Sequence, residues 1–168
     1  SLANKSWGTE FVQESKKMLL KHFESMSFLP PHIFRIINQS LDSGTRLVVD
    51  TGDFCTVAEH LWTTTKPKHF LSSGNARYMG TGIPMAIGAC LSDQRVPTVV
   101  AVGDGGIGPF ITELQIAVQH KLPLMVLLLS DGGHGSVRSR AIKDGLSQEP
   151  LLAGIQSWLP IVEGLGIP

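Results

Sequence analysis

Several common functions are made difficult by what this sequence lacks. Cys55 and Cys90 are the only cysteines, with no CxxC and no disulfide-framework spacing, so they read as two reduced thiols of a cytoplasmic protein. The six histidines are scattered without metal-ligand spacing such as HxxxH, and zinc is not indicated. No charge sign dominates: Lys+Arg and Asp+Glu both number 14. That leaves no basic field to attract nucleic acid or an anionic membrane. The longest apolar run, residues 122–129, is interrupted by Pro123 and is far too short to span a bilayer. No charged-then-apolar signal segment opens the chain. A Walker GxxxxGK[ST] loop is missing as well, which disfavours a P-loop nucleotide site.

What remains is the pattern of an α/β domain. The 168 residues suit one domain, and 42% hydrophobic content is enough for a core. Residues 10–26 carry Phe11, Val12, Met18, Leu19, Phe23 and Met26 at close to helical spacing, with lysines opposite. Residues 27–31 stop that helix and start another, with Pro31 suited to a first helical turn and Ile33, Phe34, Ile37 and Leu41 lining one face. A short strand is predicted over 46–50, a helix over 55–62, a loop around Pro67 and an extended piece over 69–72. The glycine-rich stretch 73–82 leads into a helix over 83–91, where Gly82, Ala86, Gly88 and Ala89 leave room for close backbone packing or a ligand. Residues 139–148 read as a polar loop and 155–165 as a last helix. The strands are continuously apolar, which predicts a parallel sheet with helices on both faces, an open three-layer α/β architecture. The chain opens on Ser1 rather than Met and stops at Gly166-Ile167-Pro168, where the alternation calls for another strand. A fragment truncated at its C-terminus is therefore expected, with residues 1–29 a helical arm and 30–168 an incomplete ligand-binding domain.

The chemistry concentrates in residues 98–138. Two apolar runs of strand length each end in an aspartate followed by glycines: Gly103-Asp104-Gly105-Gly106, and Ser130-Asp131-Gly132-Gly133, the second aspartate 27 residues after the first. One aspartate at a strand end is commonly a loop cap. Two at neighbouring parallel strand ends sit where open α/β sheets bind ligands. Hard carboxylate oxygens with backbone carbonyls nearby suit Mg²⁺ or Ca²⁺, and Mg²⁺ prefers a few protein oxygens plus substrate phosphates. Glycines let backbone N–H groups face phosphate oxygens, and helix N-termini expected near Gly82 and Pro109 would add favourable dipole ends. The residues thus point to a divalent-metal diphosphate site.

The same residues resemble a known family. Gly103-Asp104-Gly105, followed after the right interval by Ser130-Asp131, is similar to the thiamin-diphosphate motif, GDG, about two dozen residues, then NN. The resemblance runs from about Pro30 to the C-terminus. It includes Asp50-Thr51-Gly52, the segment from Tyr78 through Gly82 to Ala89, Thr112-Glu113-Leu114, and Asp131 to Arg138. Together these resemble the pyrophosphate-binding domain of acetolactate synthase-like and 2-oxo-acid decarboxylase enzymes.

That resemblance implies roles. Asp104 and Asp131 would give side-chain oxygens to Mg²⁺, with the Gly133 carbonyl as a third ligand. Gly105, Gly106, His134 and Gly135 would surround the diphosphate of thiamin diphosphate, with Gly52 and Asp53 touching it from the first strand's loop. Met79 stands where the family places the apolar residue that bends the cofactor, and the backbone near Arg77 would face the aminopyrimidine. Glu113 reads as a structural or capping carboxylate. No catalytic residue is expected in this stretch, because the family's activating glutamate belongs to a separate pyrimidine-binding domain. The parent would decarboxylate a 2-oxo acid, with or without transfer to a second carbonyl, as a homodimer or homotetramer. A non-catalytic cofactor-binding or assembly module of the same fold remains the alternative. Three departures stand out: Asp131 replaces the common second asparagine, Gly52-Asp53-Phe54 replaces a frequent Gly-Gln-His, and Arg77 replaces a frequent glycine. The extra charge at Asp131 predicts a steeper dependence of cofactor binding on Mg²⁺.

Overall fold

Four short parallel strands organise the protein: β1 (Arg46–Val49), β2 (Phe70–Ser72), β3 (Thr98–Gly103) and β4 (Leu124–Leu129), in the order β2-β1-β3-β4. The computed structural model describes residues 8–24, 30–74, 76–155 and 157–168. Met26, the break at 27–29, Asn75 of the glycine-rich stretch and Gln156 of the last expected helix lie outside the described residues, and so does the Phe23 side chain.

Continuous apolarity in β1 and β3 has the cause expected of it, because both faces are covered. Leu47, Val49, Val99 and Ala101 pack with Phe34 of α2 (Pro30–Ser40) and with Phe54, Cys55 and Ala58 of α3 (Asp53–Leu61). The alternate residues Val48, Val100 and Val102 face α4 (Gly82–Ser92), which contributes Ile83, Ala86, Ile87 and Cys90. Each fully buried Val or Leu contributes roughly 1.5–3 kcal/mol, so the centre of the sheet is a rigid platform. The N-terminal helix α1 (Thr9–Glu24) touches this body through Lys16, whose ammonium donates to the Trp62 carbonyl and the Thr63 hydroxyl at 3.2 Å each. Its apolar residues Phe11, Val12 and Met18 are exposed. No helix is long and apolar enough to cross a membrane among the described residues.

Three local expectations need correction. Helical turns begin directly at Asp104, not near Pro109: α5 (Asp104–Ile107) runs into a 3-10 segment, Gly108–Glu113, and then α6 (Leu114–Gln119). Gly105, Gly106, Gly108 and Pro109 break what hydropathy reads as one helix. The polar stretch after residue 138 is not all loop, because α7 (Gly135–Lys143) occupies its first half. Its inward stripe is His134, Arg138 and Ala141, two of them polar, so apolar periodicity could not reveal it. The last helix is shorter than predicted, α8 (Leu159–Gly164), with Pro160 in its first turn. Chain reversal between β2 and β3 carries α4 over β1, so the switch in strand order falls between β1 and β3. The open crevice at their carboxyl ends is the place such sheets leave for a ligand.

Candidate functional site

A cleft of about 440 Å³ lies at the carboxyl ends of β1, β3 and β4. Of the residues singled out in the sequence, Gly52, Asp53, Met79, Asp104, Gly105, Gly106, Asp131, Gly133, His134 and Gly135 all line it. Arg77 does not. Its guanidinium turns toward α3, donating to Cys55 Sγ at 2.8 Å and to Glu59 at 3.1 Å.

Asp104 is the best-held polar group in the cleft. It follows β3 directly and is only 6% exposed. Its Oδ1 accepts from the Ser130 hydroxyl at 2.7 Å and from Trp158 Nε1 at 2.8 Å, while Oδ2 accepts the Asp131 and Gly132 backbone N–H groups at 2.9 and 3.0 Å. Burial alone would push this carboxyl upward, but the four donors outweigh it and hold the group below the usual carboxylate range. Asp104 is therefore a fixed anion at the floor of the cleft. Asp131 is more open, with its side chain 49% exposed. Arg138, one turn into α7, donates to the Asp131 carboxylate at 3.0 Å and to its backbone carbonyl at 3.3 Å. Among the described residues no third His, Cys, Asp or Glu joins this pair in a metal-holding group, and the Gly133 carbonyl beside it is an oxygen that could serve as a further ligand.

Close approach of backbone to cleft is visible at Gly105. A Cβ there would lie 2.7 Å from His134 Nδ1 and 3.1 Å from Met79 Sδ, so three residues from distant parts of the sequence converge on a point with no room for a Cβ unless those side chains shift. Met79 is held from below by the end of β1. The Thr51 hydroxyl donates to the Tyr78 carbonyl at 3.2 Å, and Asp50 Oδ2 accepts the Gly80 N–H at 2.9 Å. Met79 sits between those two anchors, 48% exposed, and lines the cleft. Asp50 itself is 1% exposed, and its Oδ1 has no hydrogen-bond partner among the described residues. Gly133 is fixed by an antiparallel bridge to Leu152, in which His134 N–H donates to the Leu151 carbonyl and Ala153 N–H to that of Gly132.

Sequence reading missed four contributors. Ser130, Arg138 and Asp50 all fall within motifs it quoted, but their partners are fixed only by three-dimensional packing. Trp158 reaches Asp104 across 54 residues and leaves no local signal. Glu113 is exposed at the start of α6 and forms no side-chain cap. Residues 103–108 also spell Gly-x-Gly-x-x-Gly after a strand, a dinucleotide fingerprint in other settings. Here the second position is the buried Asp104 and the helix after it lasts only four residues, so no long helix N-terminus is presented to a pyrophosphate.

Arg77 carries the backbone signature of the glycine it replaces. Its φ is +50°, the left-handed region, which costs a residue with a side chain roughly 1–2 kcal/mol. In urea unfolding, Arg77→Gly is expected to be more stable than Arg77→Ala by about 1 kcal/mol, since both lose the guanidinium contacts and only glycine relieves the strain. Equal stability of the two variants would contradict the left-handed assignment.

Residues 50–155 match the thiamine pyrophosphate enzyme family in its C-terminal TPP-binding domain. The chain is 28% identical over 142 residues to human 2-hydroxyacyl-CoA lyase 2, covering 79% of this chain and 22% of that protein. It is 26% identical over 164 residues to the acetolactate synthase large subunit of Haemophilus influenzae, covering 96% of this chain and 29% of the relative. Among solved structures, the thiamine diphosphate-dependent 4-hydroxybenzoylformate decarboxylase of Rhodococcus jostii RHA1 superposes with a TM-score of 0.75 at 21% identity, over 85% of this chain and 28% of that one. The chain thus spans less than a third of the length of each of these relatives.

Proposed function

Because this chain belongs to the thiamine pyrophosphate enzyme family as its C-terminal TPP-binding domain, we propose that it anchors the diphosphate of thiamin diphosphate through Mg²⁺ held by Asp104, Asp131 and the Gly133 carbonyl. The observation that carries this reading is the convergence of the two carboxylates at adjacent strand ends beside Gly105, where a Cβ would fill the space. The charge of the cleft supports a metal. Asp53, Asp104 and Asp131 all line it, so a bare diphosphate would meet net repulsion, and a divalent cation between the two sets of oxygens reverses the sign.

Each residue then has a defined task. Asp104, fixed by its four donors, presents a carboxylate that need not reorganise, and the Ser130 hydroxyl is the donor free to rotate aside for a metal. Gly105, Gly106 and Gly135 let the backbone approach phosphate oxygens, and His134 closes the same wall. Gly52 and Asp53 border the cleft from the β1 side. Met79, clamped by Asp50 and Thr51, is an apolar prop under the cofactor, with the backbone at Arg77 toward its pyrimidine end. When bound, thiamin diphosphate supplies the electron sink for carbanion chemistry at a carbonyl. The parent protein is an enzyme in this reading, decarboxylating a 2-oxo acid in the manner of an acetolactate synthase, with a pyrimidine-binding domain as partner and a dimer or tetramer as the assembly. Residues 30–168 are the cofactor-holding unit and 1–29 an arm.

Arg138 modifies the electrostatic expectation made for Asp131. Its guanidinium already offsets the extra charge that an asparagine would not carry. At limiting Mg²⁺, Asp131→Asn is expected to strengthen thiamin diphosphate binding and Arg138→Ala to weaken it, each by roughly two- to fivefold, the scale of a partly exposed ion pair. The double variant should return near the wild type. Single variants that move binding in the same direction would refute the pairing. Competition tests the ligand class: thiamin diphosphate should displace a bound fluorescent analogue of itself and ATP should not, whereas equal displacement by ATP would count against the reading.

A further inference from the structure

We infer that Trp158, which lies outside the stretch matched to the family, is a positioning residue that tethers Asp104 independently of the loop carrying the other candidate ligand; this rests on the cofactor-anchoring role proposed above. Three of the four donors to Asp104 come from residues 130–132, the same loop that bears Asp131. Any shift of that loop to receive a metal or a diphosphate would carry those donors with it. Trp158 is separate. It reaches Asp104 Oδ1 from the C-terminal segment at 2.8 Å and is 8% exposed, within a buried cluster that includes Ile83, Ile107 and Leu114. Its backbone carbonyl accepts from the Ile161 and Val162 N–H groups of α8, which fixes the residue at both ends.

The direction of approach matters as much as the distance. Trp158 lines a second, largely apolar cleft of about 820 Å³ bounded by β4, α6 and the C-terminus, and it does not line the cleft that holds Asp131 and Gly105. Ser130 lines both. The indole therefore grips the carboxylate from behind, leaving the front to the cleft, and Ser130 is the donor in a position to yield. Partners of this kind typically set metal affinity over a 10–100-fold range by fixing ligand orientation.

Two measurements on the 168-residue chain test the role. In ¹H–¹⁵N spectra the Trp158 indole N–H resonance, identified by its loss in Trp158→Phe, should move clearly upfield in Asp104→Asn. It should also persist when Mg²⁺ and thiamin diphosphate saturate the protein. In calorimetry at saturating thiamin diphosphate, Trp158→Phe should weaken Mg²⁺ binding about tenfold. Assigning the same resonance by elimination in Trp7→Phe and Trp62→Phe keeps this test readable if Trp158→Phe fails to fold, and an indole resonance indifferent to Asp104→Asn overturns the inference. Wild-type binding with Trp158→Phe unchanged overturns it alone. Failure of the wild type to bind either ligand removes the proposed site, and this role with it.

Discussion

Asp104→Ala is expected to abolish Mg²⁺-supported binding of thiamin diphosphate, lowering affinity by at least about a hundredfold, and to destabilise the fold by roughly 3 kcal/mol. The two losses have different causes. Binding fails because the most rigid of the two carboxylates is gone and only Asp131, partly neutralised by Arg138, remains to meet a cation. Stability falls because the Trp158 indole N–H, the Ser130 hydroxyl and the Asp131 and Gly132 N–H groups lose their common acceptor. A buried donor left without a partner costs about 1–3 kcal/mol. Asp104→Asn separates the effects. Its amide oxygen keeps one pair of donors while its NH₂ opposes the other, so it should recover part of the stability and little of the binding. Urea unfolding and calorimetry on both variants check this; an Asp104→Ala protein that binds normally with Mg²⁺ would rule out the ligand assignment.

Gly106→Ala is the second large effect expected, with a loss of about 2–3 kcal/mol. The added methyl would overlap Asp50 Oδ2 and come within 2.9 Å of Val102 Cγ2. Neither can retreat. Asp50 is buried and tied to the Gly80 N–H, and Val102 is fully enclosed in the strand before Asp104. Pushing Asp50 away would also release the backbone on one side of Met79, so cofactor affinity should fall along with stability. Gly88→Ala is the matched contrast. It sits within α4 with nothing within 4 Å of a new Cβ, so it should stabilise by roughly 0.5–1 kcal/mol through helix propensity alone. If Gly106→Ala unfolds at the same urea concentration as the wild type, the close packing of Asp50 under the loop is wrong.

What the sequence disclosed and what it withheld divide along physical lines. Parallel strands were legible because Val99 to Val102 and Leu47 to Val49 must be apolar on both faces, and continuous apolarity is visible in one dimension. The cleft was legible because Asp104 and Asp131 end adjacent strands, so strand order alone brings them together. Helix α7 was hidden, since the inward stripe it continues from its N-cap holds His134 and Arg138, and Arg138 is matched by the Asp131 carboxylate rather than by apolar neighbours. The turns at 104–113 were hidden by glycines and a proline that divide one hydropathy pattern into three pieces. The roles of Trp158 and Asp50 were hidden, although Asp50 stood within a quoted motif. Their contacts to Asp104 and Gly80 join segments that only the packed sheet brings within hydrogen-bond distance. Arg77 was noticed as a departure from glycine, but its left-handed φ explains the glycine preference only after the backbone is seen.

Titration of the chain with thiamin diphosphate in the presence and absence of Mg²⁺, followed by calorimetry, tests the central claim most directly. One binding event per chain that requires Mg²⁺ and disappears in Asp104→Ala is the predicted result. Binding that is indifferent to both the metal and Asp104, or no binding at any Mg²⁺ concentration, would contradict the anchoring role proposed for this domain.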